Sequence, residues 1–164
     1  MTVRGYRDAD LESCRALWVE LTQWHRDLFA APEIGGDDPG ASFDRHLEAV
    51  GAANIWVAEH EGEIIGLVGM IPAETEAELE PIVVSPKHRG YGVGRALINV
   101  VVESARTRGL RTVYARPVAR NAEAVQFFHT NGFDVLGQIE VMLDLTDSRP
   151  WRRGERVALR DFRV

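Results

Sequence analysis

The stretch Glu80–Arg95, EPIVVSPKHRGYGVGR, decides how this chain is read. An apolar run, Ile82, Val83 and Val84, stops at Ser85-Pro86. Arg89, Gly90, Tyr91, Gly92, Val93, Gly94 and Arg95 follow, and an amphipathic segment starts at once. Glycines at 90, 92 and 94 remove three β-carbons from one turn, so backbone N–H groups can approach an anion closely. A helix beginning there adds its unpaired first amides and the positive end of its dipole. Arg89 and Arg95 flank the turn, with Lys87 and His88 nearby, and offer charge-assisted bonds. A strand, a glycine-rich turn and a helix start are the parts of a phosphate cradle, here suited to a diphosphate.

Two familiar diphosphate motifs fail. A Walker loop needs Lys and then Ser or Thr after its second Gly, whereas Arg95-Ala96 follow Gly94. Counting the dinucleotide fingerprint from Gly92 puts its last glycine position on Leu97, and the expected first-strand context is missing.

Outward from this stretch, the patterns place the remaining elements. Val3–Tyr6 reads as a short strand. Asp8 or Asp10 then caps a helix carrying Leu11, Cys14, Leu17, Trp18 and Leu21 at helical spacing, to about Phe29. Residues 31–40 are a loop by composition, and Ser42–Val50 a second helix. Asn54–Glu59 and Glu63–Ile71 read as a hairpin turning at Gly62, and Glu76–Val84 as the next strand. Val93, Leu97, Val100, Val101 and Ala105 make a helical stripe that Gly109 closes. Thr112–Val118 is a strand, and Asn121 caps a helix reaching His129. Phe133–Leu136 and Gln138–Leu145 form a final strand pair. Val157–Val164 is a candidate edge strand in a polar, basic tail over residues 146–164. This order, β-α-α-β-β-β-α-β-α-β-β, predicts an α/β chain with a mixed sheet and helices on both faces, as one domain over residues 1–164.

Composition narrows the function classes. A net charge of −6 argues against a nucleic-acid partner and fits a cationic substrate, although acidic excess also serves solubility. The one cysteine, Cys14, excludes an internal disulfide and fits a reducing, cytoplasmic setting. It sits in a helical pattern as a packed small side chain. No apolar run approaches the ~18 residues of a membrane span.

The spacing Arg89-x-x-Gly92-x-Gly94, after an apolar strand ending in Val84-x-Pro86, resembles the acetyl-CoA signature of the GNAT family of N-acetyltransferases. Asn121-x-x-Ala124, then Phe128, then Gly132-Phe133, resembles that family's second conserved segment. The motif resemblance covers roughly residues 63–145. It implies a three-layer fold with a mostly antiparallel central sheet whose middle strands splay apart. It also implies acetyl-CoA as co-substrate, with no metal. Backbone amides of the Arg89–Arg95 turn would hold the pyrophosphate. The main chain of Ile82, Val83 and Val84 would pair with the pantetheine arm. Asn121 would contact the arm from its other side, and Phe128 belongs to the same cofactor-binding segment. Pro81 supports the splay independently, because a proline inside a strand implies a bulge or an unpaired edge.

The implied reaction is attack of a substrate amine on the thioester, with one base to take a proton and a backbone N–H near Val83 or Val84 for the oxyanion. Glu76, Glu78 and Glu80 alternate along one strand and so share a face. The family's carboxylate falls nearest Glu78, and a bulge at Pro81 keeps Glu80 a candidate. Phe128 stands where the family often has a tyrosine that protonates the leaving thiolate, which leaves Tyr91, Tyr114, His129 or solvent for that task. Trp18, Trp24, His25, Asp27, Phe29, Asp37 and Asp38 fall in the region that selects the substrate, a small-molecule or protein amine. A non-catalytic CoA-binding sensor of the same fold is the alternative. The basic tail is a candidate homodimer contact.

Overall fold

The computed structural model describes residues 1–143 and 145, and the backbone of residues 153–157 and 160–163. The chain divides into two compact units, Met1–Ala115 and Arg116–Val164. The first holds a five-stranded sheet: β1 (Thr2–Gly5), β2 (Ile55–His60), β3 (Glu63–Pro72), β4 (Glu76–Val84) and β5 (Thr112–Tyr114), side by side in that order. Strands β1 to β4 are antiparallel neighbours, and β5 joins β4 in parallel. The mixed, mostly antiparallel α/β sheet is the one expected. Its parallel pair needs a crossover, which is helix α3 (Val93–Thr107).

Helices cover both faces. Ile55, Val57, Leu67 and Val83 cluster with Tyr6, Cys14, Leu17 and Phe43, so α1 (Leu11–Phe29) and α2 (Gly40–Val50) lie on one face. Gly66 faces the other way, as alternation along β3 requires. A Cβ on it would meet Leu97 Cδ1 at 3.2 Å and Val93 Cγ1 at 3.4 Å, so α3 lies almost against the bare backbone.

Local chemistry fixes the element ends. Glu61 and Gly62 have φ of 52° and 83°, the paired positive angles of a primed hairpin turn. Asp10 does not cap α1 with its side chain. Its carboxylate instead accepts from Arg4 at 2.7 and 2.9 Å and from the Arg7 N–H at 2.8 Å, tying β1 to the helix entrance. Arg15 on α1 holds Asp44 on α2 through its Nε at 2.8 Å.

In the second unit, helix α4 (Ala122–Thr130) starts at Asn121, whose Oδ1 accepts from the Ala124 N–H at 3.0 Å. Phe128 is buried between Phe127 and Phe133, with ring centroids 5.4 and 5.2 Å away. Two strands, β6 (Arg153–Val157) and β7 (Arg160–Arg163), pair antiparallel with each other.

Three expectations are corrected. β5 ends at Tyr114 instead of Val118. Among the described residues, 133–136 and 138–145 form no strands, and Val135, Leu136, Val141 and Leu143 are exposed. Alternation in sequence says which side chains would share a face, but a strand also needs a neighbour to complete its ladder. Residues 160–163 pair with β6 instead of adding an edge to the main sheet, and the rest of Val157–Val164 beyond these two strands lies outside the described residues.

Candidate functional site

The site grows from an irregularity in β4. Val83 lies opposite Leu67, and Leu79 opposite Met70, so β4 spends one residue more than β3 over this stretch. That is a β-bulge at Glu80–Pro81, where the proline has no N–H for the ladder. It reverses the facing of everything before it. Glu78 pairs with Ile71, which shares the face of Leu67 and Gly69, so Glu78 is turned toward the side covered by α1 and α2. In an unbulged strand it would face α3. Glu78 is only 8% exposed, whereas Glu76 and Glu80 lie open to solvent. The three glutamates therefore do not form one solvated row.

The same strand presents an open edge. Its ladder with β5 runs only from Glu76–Thr112 to Glu78–Tyr114. Beyond that, among the described residues, Ile82, Val83 and Val84 have register partners only on β3. The central strands thus part, as the resemblance implied. Ser85 N–H donates to the Ile65 carbonyl at 2.9 Å, and this fixes the phase of the β3–β4 ladder. Val83 points its amide and carbonyl at β3, while Ile82 and Val84 point theirs at the open edge. Arg89 Nε donates to the Val84 carbonyl at 3.1 Å, anchoring the next turn to the end of this edge.

Past a short helical turn at Pro86–His88, Gly90 and Gly92 take φ of 80° and 82°, left-handed values that favour glycine. Gly92 is the N-cap of α3 and no side chain caps it. The first amides of α3, at Val93 and Gly94, are therefore left without a side-chain cap. Tyr91 stands out at 80% exposure. Beside the turn lies a cleft of about 420 Å³ lined by His60, Lys87, His88 and Tyr91, among others. The open edge of β4 thus runs directly into an uncapped helix start, a fit for a ligand with an extended polar arm and a diphosphate.

The remaining candidates divide. Asn121 and Phe128 lie on α4 in the second unit, the first engaged as a helix cap and the second in an aromatic cluster without a hydroxyl. Trp18 packs on Phe43 and His46 at 5.8 and 5.1 Å and belongs to the core. Burial pushes the Cys14 thiol up to about 12, with Asp10 adding to the effect, so it stays protonated. Burial also lowers the pKa of His25 and His46. Among the described residues, no group of three or more His, Cys, Asp or Glu could hold a metal ion, and no helix is long and apolar enough to cross a membrane. The sequence reading missed His46 and Gly69, which meet at the bulge. The signal was a glycine inside an apolar strand, which marks a bulge or a close approach.

Residues 18–133 match the model of the GNAT acetyltransferase family. The chain belongs to this family. Over 92 residues, 52% of its length, it is 32% identical to N-acetyltransferase 8 of Rattus norvegicus. The matched stretch is 41% of that relative, and across such relatives the share runs from 39% to 56%. In structure it is similar to a ribosomal-protein-alanine N-acetyltransferase from Brucella melitensis, with a TM-score of 0.65 and 23% identity over 80% of this chain and 83% of that one. It is also similar to AAC(6')-Iy in complex with the bisubstrate analogue CoA-S-monomethyl-acetylneamine, with a TM-score of 0.64 and 19% identity over 87% and 97% of the two chains. At these identities the two structures bear on the fold.

Proposed function

We propose that this GNAT domain transfers an acetyl group from acetyl-CoA to a primary amine. The observation that carries the reading is the open edge of β4 running into the uncapped start of α3. A long arm with alternating amides suits the outward groups of Ile82 and Val84, and a diphosphate suits the amides from Arg89 to Arg95, with the side chains of Arg89 and Arg95 at its rim. When bound, acetyl-CoA supplies an activated thioester.

The chain's own residues then do the rest. Glu78, buried on the α1–α2 face, takes a proton from the attacking amine, and Glu80 is the nearest alternative. The Val84 N–H at the open edge donates to the oxygen on which charge develops. A departing thiolate of pKa about 8.5 needs no strong acid, which accommodates Phe128 where a tyrosine is common in the family. By its resemblance to the family's second segment, Asn121 is a further candidate for holding the cofactor. The acidic chain and the aromatic and acidic residues of α1 favour a cationic amine, whether small molecule or protein. A lone buried thiol suits a reducing, cytoplasmic setting. Six arginines in residues 146–164, against a net charge of −6, suit a contact between two copies.

Calorimetry with acetyl-CoA and CoA tests the first half of this reading, and binding is expected. No heat at millimolar ligand would sink it. Thiol release across a broad amine panel tests the second half. The missing hydroxyl at Phe128 favours one other reading, a sensor that binds CoA without turnover. In that case Glu78→Gln would be silent.

A further inference from the structure

The turn over residues 86–92 has two sides. The open edge of β4 approaches one of them, and the cleft of about 420 Å³ lies against the other. That cleft is on the α3 face of the sheet, where Val93 Cγ1 comes within 3.4 Å of a Cβ placed on Gly66. His60 at the end of β2, Ile65 on β3 and the turn itself wall it. The open edge looks away from it, because β3 and β5 flank β4 on opposite sides. Among the described residues that line the cleft, none belongs to that edge or to β5.

The lining is of one sign. His60, Lys87 and His88 supply three basic side chains, and no carboxylate is found among the described lining residues. This stands against the chain's net charge of −6. Glu63 is opposite His60 in the β2–β3 ladder but is not part of the lining. Among the described residues, Lys87 makes no ion pair. Charge of one sign in a concave, low-dielectric wall concentrates the opposite sign. Of the two ring nitrogens of His88, Nδ1 is buried without a hydrogen-bond partner, which leaves Nε2 to meet a ligand. With its proton on Nε2 the ring donates to an anion. Ile65 and Val93 are buried and give the cleft an apolar floor, and the Tyr91 ring stands exposed at its rim. The volume is that of a small-molecule site.

We propose that this cleft is a second binding site, for a small organic anion with a flat apolar body. The anionic end meets Lys87, His60 and His88 Nε2, and the body lies on Ile65 and Val93 beside the Tyr91 ring. Binding here does not rest on the N-acetyltransferase reading. Its effect on CoA does. Lys87, His88 and Tyr91 belong to the turn that would hold the diphosphate, so anions on its two sides weaken each other by the same factor.

Lys87 is the only lysine in the sequence, which gives the test a specific probe. Reductive ¹³C-methylation of the full chain keeps its charge and yields one lysine signal, identified by its loss in Lys87→Arg. Phenyl phosphate is titrated against that signal, beside inorganic phosphate and benzyl alcohol. A saturable shift is expected with a Kd at or below about 1 mM, and the two fragments, each keeping half of the ligand, should bind at least about tenfold more weakly. His60→Glu puts a carboxylate into the lining at the exposed end of β2 and should weaken phenyl phosphate at least about tenfold. Residue 60 is two strands from the open edge, about 10 Å or one screening length, so the Kd for CoA should stay within about twofold. With CoA saturating, the shift should persist. Saturating phenyl phosphate should raise the Kd for CoA by a bounded factor, about three to ten. No saturable shift in the wild type would overturn the proposal, as would unchanged binding in His60→Glu. Complete loss of the shift under saturating CoA would overturn it too, and would give the cleft to the cofactor's own phosphorylated nucleoside end. If His60→Glu fails to fold, the wild-type titrations with and without CoA decide. Absence of CoA binding strikes the acetyltransferase reading instead. It shows in calorimetry without phenyl phosphate and leaves the CoA-free titration as the test of the cleft.

Discussion

At the residue scale, Gly92 carries most. Its φ of 82° belongs to the left-handed region, which costs an L-residue roughly 1–2 kcal/mol. Gly92→Val has open space for its side chain, so the strain falls on the backbone that begins α3. CoA affinity is expected to drop at least about tenfold by calorimetry, with the melting temperature changing by only a few degrees. Unchanged affinity would mean that the turn is not the cradle. Glu78→Gln removes the proposed base and should lower kcat by about 10²–10⁴ while leaving CoA affinity alone. Cys14, with its thiol pushed up to about 12, should resist iodoacetamide at pH 8 for far longer than an exposed thiol. The glycines and Cys14 were legible in the sequence because their roles are local. The facing of Glu78 was not, because it depends on a register between two strands.

At the element scale, the bulge organises the site. Pro81 announced it, since a proline cannot sit in a regular inner ladder. Its partner Gly69, a glycine inside an apolar strand, gave only a general signal until β3 lay beside β4. A methyl at 69 would stand 2.4 Å from the Glu80 carbonyl, so backbone must move to admit it. Gly69→Ala is expected to destabilise the fold by about 1–3 kcal/mol in urea unfolding and to lower turnover through the displaced bulge. Wild-type stability in this variant would show that the bulge yields freely. Helix α4 was legible from Asn121 onward because a cap and an apolar stripe are short-range signals. The alternation of Ile139, Val141, Leu143 and Leu145 misled for the converse reason, as it contains no information about a neighbour.

At the scale of the whole molecule, two half-buried imidazoles couple stability to pH. Burial lowers the pKa of His25 and His46 below the ordinary value of about 6.5. As pH falls, the unfolded chain takes up its protons first. The stability these residues permit is therefore present above about 6.5 and is lost as pH falls toward their folded values. The urea midpoint should drop between pH 7.5 and 5.5, and a His25→Gln, His46→Gln double variant should flatten that drop. An equal drop in the variant would place the titrating groups elsewhere.

Local order determined most of what the chain announced by itself. Strand, glycine turn and helix start are neighbours in sequence, and so are the cap and aromatic residues of α4. Short-range sterics and hydrogen bonds suffice to set them, and with them the family. Tertiary structure decided what depends on residues far apart. It parted β4 from β5 after Tyr114, aimed Ile82 and Val84 at the open edge, and turned Glu78 to the α1–α2 face. It also brought His46 over Gly69. Each of these follows from pairing register and from packing across the sheet, and a single strand specifies neither of them alone.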